Sequence, residues 1–156
     1  MDTLGSAGYE HYEISNFCRP GMYSRHNTSY WKGIPYLGCG PSAHSFNTDT
    51  REWNISSLED YIHSIENNHR RFENEYLDRT TRYNECIMTS IRTKRGLSLN
   101  DLEREFGKEL WQYCMNMARP HLDSGKLEIR DSHLCLTHKG IFVSDSIMSD
   151  LMFIED

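Results

Sequence analysis

Residues 12–45 read YEISNFCRPGMYSRHNTSYWKGIPYLGCGPSAHS, and this stretch decides how the first half of the chain folds. It sets a histidine, an asparagine, a tyrosine and a tryptophan, in RHNTSYW, between two segments punctuated by glycine. Core packing does not call for that combination, because buried polar groups are costly unless each finds a hydrogen-bond partner. The stretch therefore predicts a binding site.

Short extended segments surround the RHNTSYW motif. Residues 12–15 alternate apolar with polar side chains, which is the period of a strand with two different faces. CRPGMYS predicts a turn, because Pro20 fixes its own backbone angle and Gly21 relaxes the next one. A second extended segment begins at Tyr36, and TDTREWNI predicts strand and turn after it.

Helix signals mark both ends of the first half. The opening MDTLGSAG is typical of the end of a helix, with Gly8 able to take the left-handed closing conformation. Ser56 and Glu59 form a capping-box pattern that predicts a short helix. The charged residues 69–78 predict a connector, and we place a domain boundary there.

The second half is patterned mainly as helices. A stripe of apolar residues predicts a helix over residues 80–95, ending before Gly96. Ser98 and Asp101 predict the cap of a second, short helix that Gly107 stops.

A third helix, a hairpin and a last helix complete the second half. The third helix runs from about Leu110 to Gly125, and Pro120 is expected to bend it because proline lacks a backbone donor. KLEIR and LCLTH flank a short polar turn and predict a β-hairpin. Thr137 predicts the cap of a last helix. The apolar residues of that helix are Ile141, Phe142, Ile147, Met148 and Leu151.

Three helices, a hairpin and a closing helix amount to a winged-helix arrangement, so we predict an α+β chain whose residues 80–156 form a winged-helix-like domain. Nucleic-acid binding is not expected of it, because the third helix, LWQYCMNMARPHLD, carries one Arg and no Lys. Packing or partner docking is the favoured role of this domain.

Composition narrows the class of protein. The 156 residues carry a formal charge of −6, which argues against a nucleic-acid partner for either half. No apolar run approaches the ~18 residues that a membrane span needs, and no signal peptide is visible. The five cysteines are widely spaced without a CxxC pair, so we expect reduced thiols in a cytoplasmic protein.

The candidate ligand-binding residues all lie in the first half. His26, Asn27, Tyr30 and Trp31 could bind a porphyrin through an axial nitrogen and aromatic stacking. Gly38 and Gly40 could let a flat ligand approach the backbone closely. Each pattern also has a structural interpretation, since a GxG segment can be only a tight turn and one histidine can be only a hydrogen-bonded core residue.

Glu13, Asn16 and His44 are further ligand-facing candidates. Glu13 and Asn16 stand near the end of a strand, where a polar group could reach a ligand, although a buried hydrogen-bonded pair would look the same. His44 and Cys39 are near enough in sequence to act as co-ligands, but no third and fourth metal ligand follow at useful spacing. No metal site is therefore predicted. The other histidines, which are expected in solvated surface, are His63, His69, His121, His133 and His138.

Taken together, the motifs are far more specific than any one of them. YEISNF, RHNxxYW, Gly33, YLGxGPSAHS and LxLTxxGxFVSD follow one another across nearly the whole chain. This run resembles the C-terminal part of the oxygen-independent coproporphyrinogen III oxidase-like radical SAM proteins, and most closely their heme chaperone (HemW) branch.

The resemblance implies a fold and a division of the chain. Residues 1–55 would be the closing strands and loops of a partial (β/α) radical SAM barrel, incomplete here. Residues 56–79 would be a linking helix and connector, and residues 80–156 the winged-helix-like C-terminal domain.

The resemblance also implies cofactors and site residues. The parent protein would carry a [4Fe-4S] cluster and S-adenosylmethionine and would handle heme. The HNxxYW motif would place His26, Asn27, Tyr30 and Trp31 on the heme side. The GPSA loop would line the nucleotide pocket with Gly38, Gly40, Ser42 and Ala43. Cys39 departs from the family pattern, in which a larger apolar or aromatic residue is more usual.

The chain has no CxxxCxxC motif, on which the cluster of such proteins is held. We therefore expect a fragment, beginning within the barrel, with no catalytic residue of its own and no activity alone. Its expected partners are heme or a porphyrin, heme-accepting proteins and, through exposed barrel edges in residues 8–47, a weakly bound second copy.

Three functional classes stay open at this point. The first, which the resemblance favours, is part of a radical SAM heme chaperone that binds and transfers heme. The second is part of an oxygen-independent coproporphyrinogen III oxidase, which decarboxylates propionates in heme biosynthesis. The third is a free-standing winged-helix interaction module.

Overall fold

The computed structural model describes residues 1–154, which form a mixed α/β chain of two compact units. The first unit joins residues 1–31 to the described residues from Arg79 onward, and the second unit is residues 32–78. The association of residues 1–31 with the C-terminal helices was not indicated by the sequence. The predicted domain limits themselves stay a prediction.

The first unit begins with a helix, a hairpin and a second helix. These are α1 (Asp2–Ser6), β1 (Glu10–Glu13), β2 (Asn16–Cys18) and α2 (Arg25–Trp31). Gly8 has φ 81°, the left-handed conformation that was expected after the first helix. The helix that carries the RHNTSYW motif was not predicted.

The second unit is a three-stranded antiparallel sheet with one helix. In chain order its elements are β3 (His44–Phe46), β4 (Thr50–Asn54), α3 (Leu58–Glu66) and β5 (Phe72–Tyr76), and the strand order is β3-β4-β5. The predicted cap of α3 was one residue too early, because the Ser57 hydroxyl accepts the Asp60 backbone N–H.

The charged connector predicted over residues 69–78 is wrong in its centre, which is strand β5. This strand pairs with β4, and the Arg51 guanidinium meets the Glu75 carboxylate across the two strands at 3.0 Å. Trp53 Nε1 donates to the Glu73 carboxylate at 3.0 Å on the same pair of strands. The charges that indicated a connector are therefore cross-strand partners.

The rest of the first unit holds the main core. Its elements are α4 (Arg79–Ile91), β6 (Leu97–Ser98), α5 (Leu99–Asp123), β7 (Leu127–Arg130), β8 (His133–Leu136), α6 (His138–Ile141) and α7 (Ser144–Leu151). The short strand β6 was not predicted, and it pairs with β8 to give the sheet order β6-β8-β7. None of the helices that the structure describes is long and apolar enough to cross a membrane.

Helix boundaries in this part follow glycines and caps. Helix α4 ends earlier than predicted, and Gly96 then turns the chain with φ 77°, where a Cβ would lie 2.4 Å from the Leu134 carbonyl oxygen. The break predicted at Gly107 is confirmed, because its φ of 73° interrupts α5 between two helical segments. The backbone at Pro120 stays helical.

The single last helix predicted after Thr137 is wrong, because the chain forms α6 and α7 instead. Thr137 does cap α6, accepting the Gly140 backbone N–H. Helix α6 ends after one turn, and Gly140 within it packs onto the backbone, where an added Cβ would lie 2.0 Å from the Lys126 carbonyl oxygen. Val143, at φ −128°, then leaves the helical path before α7 begins.

The core of the first unit lies between α4, α5 and α7. Tyr83 and Phe106 meet edge to face at 5.7 Å, and the Tyr83 hydroxyl donates to the Leu151 carbonyl at 3.0 Å. His121, which was predicted in solvated surface, is buried, and its Nε2 lies 2.9 Å from the Asp150 carboxylate. A partner on α7 offsets the cost of burying that ring.

Candidate functional site

Helix α2 presents the HNxxYW residues on two of its faces. The Ser24 hydroxyl accepts the Asn27 backbone N–H at 3.3 Å and so supports the start of the helix. His26 and Tyr30, one turn apart, are both exposed and meet edge to face at 5.0 Å. Within residues 1–154 neither ring nitrogen of His26 makes a hydrogen bond or ion pair.

Trp31, the last residue of α2, packs against Arg92, the residue that follows α4. The Arg92 guanidinium lies over the Trp31 ring at 5.3 Å from the ring centre, a cation–π contact. The indole Nε1 of Trp31 is buried and has no hydrogen-bond partner among the described residues. The tryptophan of the motif therefore anchors the helix, while the histidine and the tyrosine face outward.

Glu13 and Asn16 are engaged with the protein itself. The Glu13 carboxylate is buried, and it accepts Arg92 Nε at 2.8 Å, the Ser15 backbone N–H at 3.0 Å and the Asn16 side-chain amide. Burial on its own raises the pKa of Glu13, but these hydrogen bonds and the Arg92 charge outweigh it and lower the pKa below its ordinary value. Glu13 is thus an ionised anchor for Arg92.

The GPSA loop, in the second unit, is built on Gly38. A Cβ at Gly38 would lie 2.1 Å from the His44 carbonyl oxygen, so the missing side chain makes room for the protein's own backbone. Gly40 differs, because its φ is 111° and the space where its Cβ would lie is open within 4 Å. Of the two glycines, only Gly40 has open space on the side where a side chain would lie.

Asn54 holds this loop in place and was missed by sequence reasoning. Its buried side-chain amide donates to the carbonyls of Gly40 at 2.8 Å and Gly38 at 3.3 Å, while its oxygen accepts Arg70 Nε at 2.8 Å. The Tyr61 hydroxyl accepts the Gly40 backbone N–H at 3.1 Å. A single asparagine at the end of a strand gives no sequence signal of such a role.

The other predicted residues of the loop are near its surface. Ser42 is exposed in the left-handed region with φ 55°, and the Ala43 carbonyl accepts the Asn54 backbone N–H at 3.0 Å. His44 is exposed on β3 and tilted against Trp53 at 5.8 Å. Cys39 is an exposed free cysteine.

The HNxxYW residues and the GPSA residues belong to different compact units. Helix α2 lies in the first unit and the loop in the second unit. Within the first unit the structure brings His26 together with Tyr30, and it brings both Trp31 and Glu13 into contact with Arg92.

Comparison with known proteins places the chain in a family. Residues 77–143 match the model of the HemN C-terminal domain. The chain is 31% identical over 153 residues to the heme chaperone HemW of Mycobacterium tuberculosis, covering 96% of this chain and 36% of that protein. It is 26% identical over 148 residues to the heme chaperone HemW of Bacillus subtilis, covering 94% and 39%. The chain corresponds to the C-terminal part of HemN/HemW-like radical SAM proteins.

A solved structure supports the fold of this C-terminal part. The coproporphyrinogen III oxidase HemN of Escherichia coli superimposes with a TM-score of 0.71 at 17% identity, over 97% of this chain and 38% of that one. The mixed α/β fold of the chain is therefore that of the corresponding part of HemN, while the partial barrel and the winged helix stay predictions. The chain spans between 36% and 39% of the lengths of the two chaperones and of this structure.

The iron–sulfur cluster that radical SAM proteins carry does not fit this HemN/HemW-like part. Within residues 1–154 no group of three or more His, Cys, Asp or Glu side chains is placed to hold a metal. All five cysteines are free thiols, and Cys114 is fully buried in the core. A cluster would have to be held outside the described residues, so no reaction step is assigned to this chain.

Proposed function

We propose that this chain is the C-terminal part of a radical SAM heme chaperone, which binds heme at α2 and passes it to acceptor proteins. The observation that carries the proposal is His26, whose exposed ring has both nitrogens free within residues 1–154. A neutral imidazole nitrogen is a common axial ligand of heme iron. The HemW relatives support a chaperone in preference to an oxidase.

The rest of α2 suits this role. Tyr30 is 39% exposed beside His26, so its ring can cover part of a macrocycle. Trp31 is held by Arg92 and keeps the helix in one orientation. Asn27 is half-buried one residue after His26, where its amide can orient the ligand. We assign the four motif residues to heme binding.

The GPSA loop is our proposal for the nucleotide side of the parent protein. Gly40 leaves open space at its backbone, and Ser42 offers an exposed hydroxyl two residues on. Gly38 and Ala43 shape the loop through their backbones. When the parent holds S-adenosylmethionine and its [4Fe-4S] cluster, those groups supply radical chemistry. This chain alone contributes binding surface, and we propose a cytoplasmic location for it.

The alternative roles draw on other observations. The sheet β6-β8-β7 beside α4 and α5 supports a winged-helix-like module, which would dock a partner and bind no nucleic acid. The oxidase alternative rests on the likeness of fold to HemN. Partner binding by residues 80–156 alone would favour the winged-helix module. Consumption of coproporphyrinogen by a full-length parent would favour the oxidase.

Titration of the chain with hemin tests the proposal. We expect a Soret band shifted by axial nitrogen ligation in the native chain and in His69→Ala, a control at another exposed histidine. His26→Ala should lose the shift and bind hemin about tenfold or more weakly, the loss of one coordinating contact. An unchanged Soret band in His26→Ala would remove His26 as a ligand and contradict the proposal.

A further inference from the structure

A surface cavity of about 160 Å³ lies in the first unit. Pockets that enclose a whole small molecule are usually about 300–1,000 Å³, so this one fits only a part of a larger ligand. Its walls come from β1, the end of α4 and the β7–β8 hairpin region. The polar and charged residues of the lining are His11, Glu13, Arg92, Thr93, Lys94 and Arg130.

The cavity is positively charged in a negatively charged chain. Arg92, Lys94 and Arg130 line it against the single carboxylate of Glu13, while the whole chain carries a formal charge of −6. Glu13 is already engaged by Arg92 Nε at 2.8 Å. Arg130 is paired with Glu128 at 3.2 Å, so Lys94 is the lining cation without a carboxylate partner among residues 1–154, and its charge favours an acidic group.

Two of these cations have donors to spare. Among residues 1–154 the Lys94 ammonium makes no hydrogen bond or ion pair. Arg92 uses Nε for Glu13, which leaves its terminal guanidinium nitrogens for another acceptor. Arg130 is more occupied, since it donates to the Lys94 carbonyl at 2.9 Å and to Glu128 at 3.2 Å. A carboxylate entering the cavity would meet Lys94 and Arg92 first.

Arg92 joins this cavity to α2. One face of its guanidinium covers the Trp31 ring of the HNxxYW motif, and the same side chain lines the cavity. We infer that the cavity binds a carboxylate arm of the ligand held at α2, which for heme is a propionate. This inference rests on the proposed heme binding and adds to it the group that recognises the acidic edge of the macrocycle.

The first experiment compares hemin with hemin dimethyl ester, whose propionates carry no charge. We expect the native chain to bind hemin about tenfold more tightly than the ester, the value of one charge-assisted hydrogen bond. Lys94→Gln should remove most of that difference, because it should weaken the binding of hemin and leave the binding of the ester unchanged. Lys108→Gln, which removes an exposed lysine on α5 outside the cavity, is the matched control and should leave both affinities unchanged.

Different failures have different meanings. Equal affinity for hemin and its ester, with His26→Ala still impaired, would overturn the cavity and keep the heme proposal. If neither compound binds, the heme proposal fails, and the cavity is then tested as a site for a free carboxylate. For this we use succinate and follow the backbone amide NMR signals of Thr93 and Lys94. Shifts that Lys94→Gln abolishes would support a carboxylate site, and unmoved signals would overturn it.

Discussion

At the scale of single residues, Arg92 connects three features of the first unit. It holds the buried Glu13 carboxylate, covers the Trp31 ring and lines the cavity. Glu13 was predicted to face a ligand, and direct contact between Glu13 and a ligand stays a prediction. In the structure Glu13 orients Arg92, which is the residue that we expect to contact the ligand.

Replacing Glu13 by glutamine tests this ion pair through its pH dependence. Because the pKa of Glu13 is lowered in the folded state, the stabilisation it gives is present above its ordinary pKa. That stabilisation is lost as the pH falls through the lowered value. We expect Glu13→Gln to cost about 1–3 kcal/mol of unfolding free energy at neutral pH. It should cost much less in acid, as measured by urea unfolding at both pH values.

A matched variant makes the result specific. Glu59→Gln changes an exposed carboxylate in the first turn of α3, for which no comparable pH-dependent loss is expected. If the native chain and Glu13→Gln lost stability equally on acidification, the Glu13–Arg92 pair would contribute nothing.

At the scale of elements, turn and cap residues predicted the structure correctly where the deciding residues are neighbours in sequence. The hairpin of β7 and β8 is confirmed, as are the Ser98 cap and the break at Gly107. The single last helix was wrong, because the chain leaves the helical path at Val143. The connector over residues 69–78 was wrong as well, because the pairing of this segment with β4 joins residues that are distant in sequence. Periodicity carries no information about such contacts.

The hairpin turn offers a stabilising substitution. Asp131 and Ser132 both have positive φ, 48° and 59°, which a two-residue hairpin turn requires and which suits glycine better than serine. We expect Ser132→Gly to raise the unfolding free energy by about 0.5–1 kcal/mol, because it relieves left-handed strain. The measurement is the midpoint of urea unfolding of the Ser132→Gly variant compared with that of the native chain.

Ser124→Gly is the control for backbone flexibility. Ser124 follows α5 with φ −85°, so glycine relieves no strain there and should be neutral or destabilising. A loss of stability in Ser132→Gly, equal to that in Ser124→Gly, would contradict the role assigned to the turn.

At the scale of the whole molecule, the reactivity of the cysteines measures how well each unit protects its interior. Cys39 is exposed in the second unit, whereas the other four lie in the first unit, where burial raises the pKa of Cys86 and of Cys114 to about 11 each. A thiol with that pKa has roughly a hundredfold less reactive thiolate than an ordinary one near neutral pH.

We therefore expect a thiol reagent at mildly alkaline pH to label Cys39 rapidly and the other cysteines slowly. Denaturant should bring all five into the fast phase, and absorbance of the released chromophore follows the reaction. Cys39→Ser should lack the fast phase altogether. Rapid labelling of two or more thiols in the native chain would mean that the core of the first unit opens readily.

The sequence by itself determined the local and the familial features of this protein. Caps, glycine breaks and the hairpin follow from nearby residues, and the ordered motifs indicated the family that the comparisons confirm. Only the tertiary structure decided that Glu13 would hold Arg92, 79 positions away, and that Asn54 would hold the GPSA loop. The physical reason is that a buried polar side chain needs a partner, and folding chooses that partner from the whole chain.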